Sequence, residues 1–179
     1  GDVLGVPVKW NANAKRVEVG TPVVDVTSYS RNNPAPLYTE QTISFEKSIF
    51  SEAHTMSVKI NGTERGFSAL QAVKNANMFN SDPPDGFEYV LAKITVTCKT
   101  LSGEAAVNVN STDFKVFTQN NTEVNQQFVV APTPTLSGQI YQGGSLEGYL
   151  VFTVRQDDPA PKVVFGQNYD GSGGIWFSL

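Results

Sequence analysis

The chain carries one cysteine and one histidine in 179 residues. A single thiol closes no internal disulfide, and the pair together falls short of the four ligands of a structural zinc cage. Charge is scarce as well. Only 17% of residues are charged, and 13 basic against 17 acidic side chains leave a net of -4. No lysine or arginine stripe interrupts that balance, so nucleic acid, which needs a basic footprint, is not an expected partner. No apolar run nears the ~20 residues of a membrane helix, and membrane insertion is not expected. No signal peptide opens the chain, which leaves either a cytosolic protein or one whose leader has been removed.

What is present is a core. Hydrophobic residues make up 40%, too many for intrinsic disorder, and the length suits one substantial domain plus a fragment. With no staples available, 11 Phe, 6 Tyr and 2 Trp must stabilise the fold by burial, at roughly 1.5 to 3 kcal/mol for each large apolar side chain. Asparagine, threonine, serine and glycine are abundant while lysine and glutamate are sparse, a surface chemistry common in secreted all-β domains. Asn-x-Ser/Thr sequons stand at Asn61, Asn110 and Asn120.

Period-two alternation dominates. From Val90 the even positions Val90, Ala92, Ile94, Val96 and Cys98 are apolar, while Lys93, Thr95, Thr97 and Lys99 make the other face largely wet. Similar strands are expected over 42–47, 55–60, 113–118, 127–130, 149–155, 162–165 and 174–179. Asn61-Gly62, Ser102-Gly103, Asn120-Asn121, Ser137-Gly138 and Gly143-Gly144 punctuate them as turns. The pattern predicts an all-β fold, an antiparallel sandwich or a barrel.

One exception breaks the rule. Phe67, Leu70 and Val73 recur at helical spacing with alanines beside them, predicting a short amphipathic helix over about 67–76 that covers an open end of the sandwich. Asn75, Asn77 and Asn80 stop it, because their side chains compete for backbone hydrogen bonds. Pro83, Pro84 and Asp85-Gly86 then lead the chain into the central strand.

No residue constellation predicts catalysis, and no cofactor or metal is expected. His54 reads as a solvated loop residue just before a strand. Cys98 lies on the apolar face of its strand and reads as a small hydrophobe. The pairs Asp82/Asp85 and Asp157/Asp158 could in principle act on glycosidic bonds, but beside prolines in turns they read as caps. No Asp-x-Asp-x-Asp-Gly loop points to calcium. The stretch from Gly171 to Gly174 lacks the Lys-Ser/Thr and helix of a phosphate loop. Three aromatics remain as candidate binding residues: Trp176, alternating with Ile175 and Phe177 and so facing outward, with Tyr169 and Tyr141 in loops, a set suited to stacking on sugars or anchoring a protein.

The ordered residues Arg31, Pro34-Ala35-Pro36, Arg65-Gly66, Ala69, Asn77, Phe79-Asn80, Pro83, Gly86 and Glu88-Tyr89 resemble the immunoglobulin-like domain of unknown function found in Gram-positive cell-envelope lipoproteins. Asp113-Phe114, Gly143-Gly144, Gly148, Leu150, Phe152 and Trp176-Phe177 continue the likeness over residues 29–179. Such domains are also named after an immunoprotective extracellular antigen or a telomeric-repeat-binding factor. Residues 1–28, with Leu4 to Asn11 and Arg16 to Gly20, are similar to the last hairpin of the stalk module named after the N-terminal domain of copper amine oxidases. The resemblance implies an extracytoplasmic immunoglobulin-like antiparallel β-sandwich preceded by a stalk remnant, from a precursor that holds a leader and the missing part of the stalk, with a lipid anchor left open. It implies no copper site. The expected function is noncatalytic binding of a protein or envelope component, with carbohydrate binding or a spacer role as alternatives.

Overall fold

The computed structural model describes residues 8–11, 16–19, 28–49 and 51–179. The elements in chain order are β1 (Val8–Asn11), β2 (Arg16–Val19), β3 (Glu40–Phe45), β4 (His54–Arg65), α1 (Phe67–Ala76), β5 (Phe87–Leu101) and β6 (Val107–Val109). A 3-10 turn over Ser111–Asp113 follows, then β7 (Phe114–Phe117), β8 (Glu123–Val124), β9 (Gly138–Ile140), β10 (Ser145–Arg155), β11 (Lys162–Gln167) and β12 (Gly173–Ser178). Of the hairpin expected near the start, β1 and β2 pair antiparallel with Trp10 opposite Val17; residues 4–7, 12–15 and 20 lie outside the described residues.

Two four-stranded antiparallel sheets, ordered β10-β5-β4-β3 and β12-β11-β7-β8, form an all-β sandwich that does not close into a barrel. The alternation of β5 sets its register. Ile94 lies opposite Ile60 and Gly148, and Val96 opposite Val58 and Leu146, so one face of three neighbouring strands turns apolar together. Met56, Val58, Ile60, Ile94 and Val96 are all at most 1% exposed, and they meet Val116, Val163 and Phe177 of the second sheet in one cluster. Phe114 and Phe165 pack at the centre with ring centroids 5.0 Å apart.

Two expectations about position need correcting. The helix does span Phe67–Ala76, but it lies on the outer face of the first sheet instead of the open end: Ala69 and Val73 pack on Tyr89 and Leu91, with Tyr149 and Val151 alongside. The outer face of β5 is therefore dry over its first half and wet only beyond Lys93. Residues 127–130 form no strand. Side-chain amides stand in for the ladder. Gln126 accepts from the Thr153 N–H at 2.8 Å and donates to the Thr153 carbonyl at 3.1 Å, closing the free edge of β10 as a neighbouring strand would.

Asn80 does the same at the far end of this segment. Its Oδ1 accepts from the Val130 N–H at 2.8 Å, and its Nδ2 donates to the Val130 carbonyl at 2.9 Å and to the Val73 carbonyl at 2.8 Å. One buried amide thus ties the helix end to the crossing segment. The turn beyond it follows the expected chemistry, with the Phe87 N–H donating to the Pro84 carbonyl at 2.9 Å and Gly86 at φ 80°.

Candidate functional site

Trp176 is not an accessible stacking platform. It points away from the core as alternation requires, yet it is only 4% exposed. Phe117 packs against it with centroids 5.1 Å apart, and the Arg31 guanidinium carbon lies 4.9 Å from its ring centroid. Arg31 is itself held by donating to the Gly171 carbonyl at 2.6 Å. Alternation gave the direction of the ring; it could not show that an arginine from before β3 would cover it. Tyr169 and Tyr141 are exposed, fully and by 58% respectively. Tyr169 sits in the β11–β12 turn and Tyr141 in the β9–β10 turn, at the end of the sandwich where β5 and β11 finish. Trp176 is not brought together with them as one aromatic surface.

At that same end a cavity of about 470 Å³ opens, lined by Phe45, His54, Leu101, Asp113, Lys115 and Asn168 among others. His54 was expected in a wet loop and is corrected here: it begins β4, is 9% exposed and stacks on Phe45 with centroids 4.7 Å apart. Its Nδ1 lies 2.7 Å from the Glu52 carbonyl and 3.3 Å from Ser51 Oγ. A carbonyl only accepts, so Nδ1 carries the proton, and Ser51 cannot pass its own proton there. Asp113 Oδ2 accepts from the Asn110 N–H at 2.8 Å, closing a capping box on the 3-10 turn, while burial pushes its carboxyl pKa up.

The acidic pairs separate. Asp82 bridges to Lys74 at 2.8 Å, and Asp157 to Arg155 at 2.8 Å, which holds the Asp157 carboxyl below its usual range. Asp158 is buried and accepts from the Gln119 and Ala160 N–H groups at 3.0 and 3.1 Å. Among the described residues no group of three or more His, Cys, Asp or Glu side chains could hold a metal ion. Nor is any helix among them long and apolar enough to cross a membrane.

Cys98 is fully buried, with Sγ 3.4 Å from the Thr100 carbonyl and its thiol pKa pushed up by burial. A thiol reagent should therefore label it only as fast as the protein opens. Rate constants in native buffer should be at least a hundredfold below those in denaturant; a ratio near one would contradict the burial.

The feature that sequence reasoning missed lies around Asn80. Met78, Phe79, Phe128 and Val130 are 77%, 87%, 91% and 52% exposed, and the Asn80–Val130 pairing brings their two segments side by side. On the Phe128 and Val130 side a groove of about 660 Å³ runs between β7 and β10, lined by Phe114, Val116, Leu136, Leu150, Phe152 and Phe128 among others. The only signal in the sequence was an apolar pair, Met78-Phe79, set among asparagines that already suffice to stop a helix.

A family of domains of unknown function, DUF4352, matches residues 50–175. No curated protein matches. Among solved structures, the secreted protein MPT63 of Mycobacterium tuberculosis aligns at a TM-score of 0.49 and 14% identity, over 82% of this chain and 98% of its own. The yjhA protein of Bacillus subtilis gives 0.48 and 12%, over 81% and 98%. A candidate lipoprotein of Bacillus subtilis, ycdA, gives 0.49 and 16% over 69% of this chain; the chain spans 36% of that protein's length.

Proposed function

The chain belongs to the DUF4352 family of domains of unknown function, and from that footing we propose that it is a noncatalytic interaction module acting outside the membrane, which binds a protein or another envelope component. The observation that carries this reading is the apolar surface of Met78, Phe79, Phe128 and Val130. Soluble monomers seldom expose several large apolar side chains side by side, and patches of this kind mark interaction sites. The buried amide of Asn80 and the half-buried amide of Gln126 fix the surface in place, so a partner meets a preformed face and loses little ordering entropy on binding. The polar, lysine-poor remainder of the surface suits an extracytoplasmic setting. On this reading residues 29–179 are the immunoglobulin-like unit and 1–28 the end of a stalk.

The test is a double substitution, Phe79→Ser with Phe128→Ser. Both rings are exposed, so the melting temperature should hold while saturable capture of envelope components falls about tenfold or more. Equal capture by both proteins would sink the proposal. Carbohydrate binding is a second reading, favoured by the complete exposure of Tyr169 with Tyr141 at the same end of the sandwich. It requires saturable glycan binding that Tyr169→Ala removes. Silence in both assays leaves the spacer role.

A further inference from the structure

The segment over 125–136 crosses the β10 edge without covering all of it. Tyr149 turns both backbone groups away from β5: its N–H donates to the Pro134 carbonyl at 2.8 Å, and its carbonyl accepts from the Leu136 N–H at 3.1 Å. Thr153 does the same with the Gln126 amide, at 2.8 and 3.1 Å. Backbone direction alternates along an antiparallel strand, so Val151, midway between them, also points its N–H and carbonyl outwards. Neither group meets a protein partner among the described residues. Val151 lines the groove of about 660 Å³ between β7 and β10.

We infer that the outward N–H and carbonyl of Val151, set in this groove, receive the side-chain carboxamide of an asparagine or glutamine from a partner protein; the protein source rests on the interaction role proposed above. An added strand does not fit. The neighbouring outward positions lie about 7 Å to either side of Val151, and Pro134, Leu136 and Gln126 already occupy them. The incoming polar group must therefore be compact, with a donor and an acceptor on one edge. A carboxylate would turn an oxygen towards the Val151 carbonyl, and an ammonium offers the N–H no acceptor. A carboxamide meets each partial charge with its opposite.

The molecule already makes this pairing twice, with Gln126 on Thr153 and with Asn80 on Val130 at 2.8 and 2.9 Å. The charged residues lining the groove are Lys115 and Glu123, one of each sign, so a neutral polar group suits it better than an ion. The groove is also larger than one carboxamide. Phe114, Leu150, Phe152 and Phe128 offer apolar cover to the stem that carries it and to apolar side chains beside it. Phe128 belongs both to this groove and to the exposed apolar face, which makes the two surfaces continuous.

Amide-resolved NMR of the folded chain, titrated with hexanamide, tests the site without any substitution. The Val151 amide proton should move saturably downfield, while those of Tyr149 and Thr153, already bonded, shift at least fivefold less. Hexanoate and N,N-dimethylhexanamide keep the aliphatic stem but lose the donor, and should bind at least fivefold more weakly. A Leu-Gln-Leu peptide blocked at both ends should reproduce the Val151 shift, with Leu-Glu-Leu at least fivefold weaker. In the free protein the Val151 amide should exchange at least tenfold faster than those of Tyr149 and Thr153. No saturable shift at Val151, an equal response to the dimethylamide, or exchange as slow as at the two neighbours overturns the inference; a response to hexanamide that the glutamine peptide fails to give overturns the protein source. These failures are read at one amide, whereas the interaction role fails on unchanged capture after Phe79→Ser with Phe128→Ser, so the two are told apart.

Discussion

Gly148→Ala is expected to destabilise the protein by about 4 kcal/mol, a loss readable as a lowered urea midpoint at unchanged slope. A Cβ at residue 148 would stand 2.4 Å from Leu136 N, 2.5 Å from the Thr135 carbonyl carbon and 2.8 Å from Leu136 Cα. All three are backbone atoms, so no rotamer change relieves the contact. Residues 134–136 would have to withdraw, breaking the Leu136 N–H bond to the Tyr149 carbonyl at 3.1 Å and the Tyr149 N–H bond to the Pro134 carbonyl at 2.8 Å. Leu136, fully buried against the core, would withdraw with them, at roughly 1.5 to 3 kcal/mol for that side chain alone. Gly143→Ala is the control. There φ is 80° and no atom lies within 4 Å of the new methyl, so only the left-handed backbone penalty of about 1 kcal/mol remains. Equal losses at the two sites would show that the segment over β10 is not packed as described.

That glycine also marks where sequence reading stops. Along β5 every inward residue from Val90 to Cys98 is named by alternation alone, because a strand's period is a property of the local backbone. The helix over Phe67–Ala76 is legible for the same reason. Gly148 stands just ahead of the strand expected over 149–155, and nothing beside it in sequence shows that a second chain segment passes through the space its side chain would fill. Residues 127–130 mislead in the opposite sense: two valines after a phenylalanine look like a strand, but the N–H and carbonyl of Val130 are met by the amide of Asn80, far off in sequence. Trp176 and His54 share the lesson. The direction of Trp176 follows from alternation, whereas the cover of both side chains, Arg31 in one case and Phe45 in the other, comes from elsewhere in the chain. Candidate site residues depend on cover more than on direction, which is why the fold was more legible than the site.

The second large effect is expected at Asn80, where Asn80→Ala should cost about 3 kcal/mol. Three hydrogen bonds of one buried amide disappear: both backbone groups of Val130 lose their partner, and the Val73 carbonyl keeps only the Asn77 N–H at 3.2 Å. Amide exchange at Val130 should accelerate together with the fall in the urea midpoint, since that N–H is bonded only through this side chain. Asn80→Asp discriminates further. It preserves the acceptor facing the Val130 N–H but turns a carboxylate oxygen towards two carbonyls, so at neutral pH it should be worse than alanine. Burial and those carbonyls favour the protonated acid, which raises its folded pKa above the unfolded value. The variant's stability is then greatest below the unfolded carboxylate pKa, about 3.9, and is lost as pH rises through the folded value. A midpoint that recovers on acidification in Asn80→Asp, and not in Asn80→Ala, would establish that the amide's donors hold the crossing segment. Because Phe79 and Val130 flank this joint, Asn80→Ala should also weaken envelope capture while all four side chains of the apolar face remain chemically intact. Capture that survives the loss of Asn80 but not of Phe79 and Phe128 would mean that the rings bind without being pre-positioned.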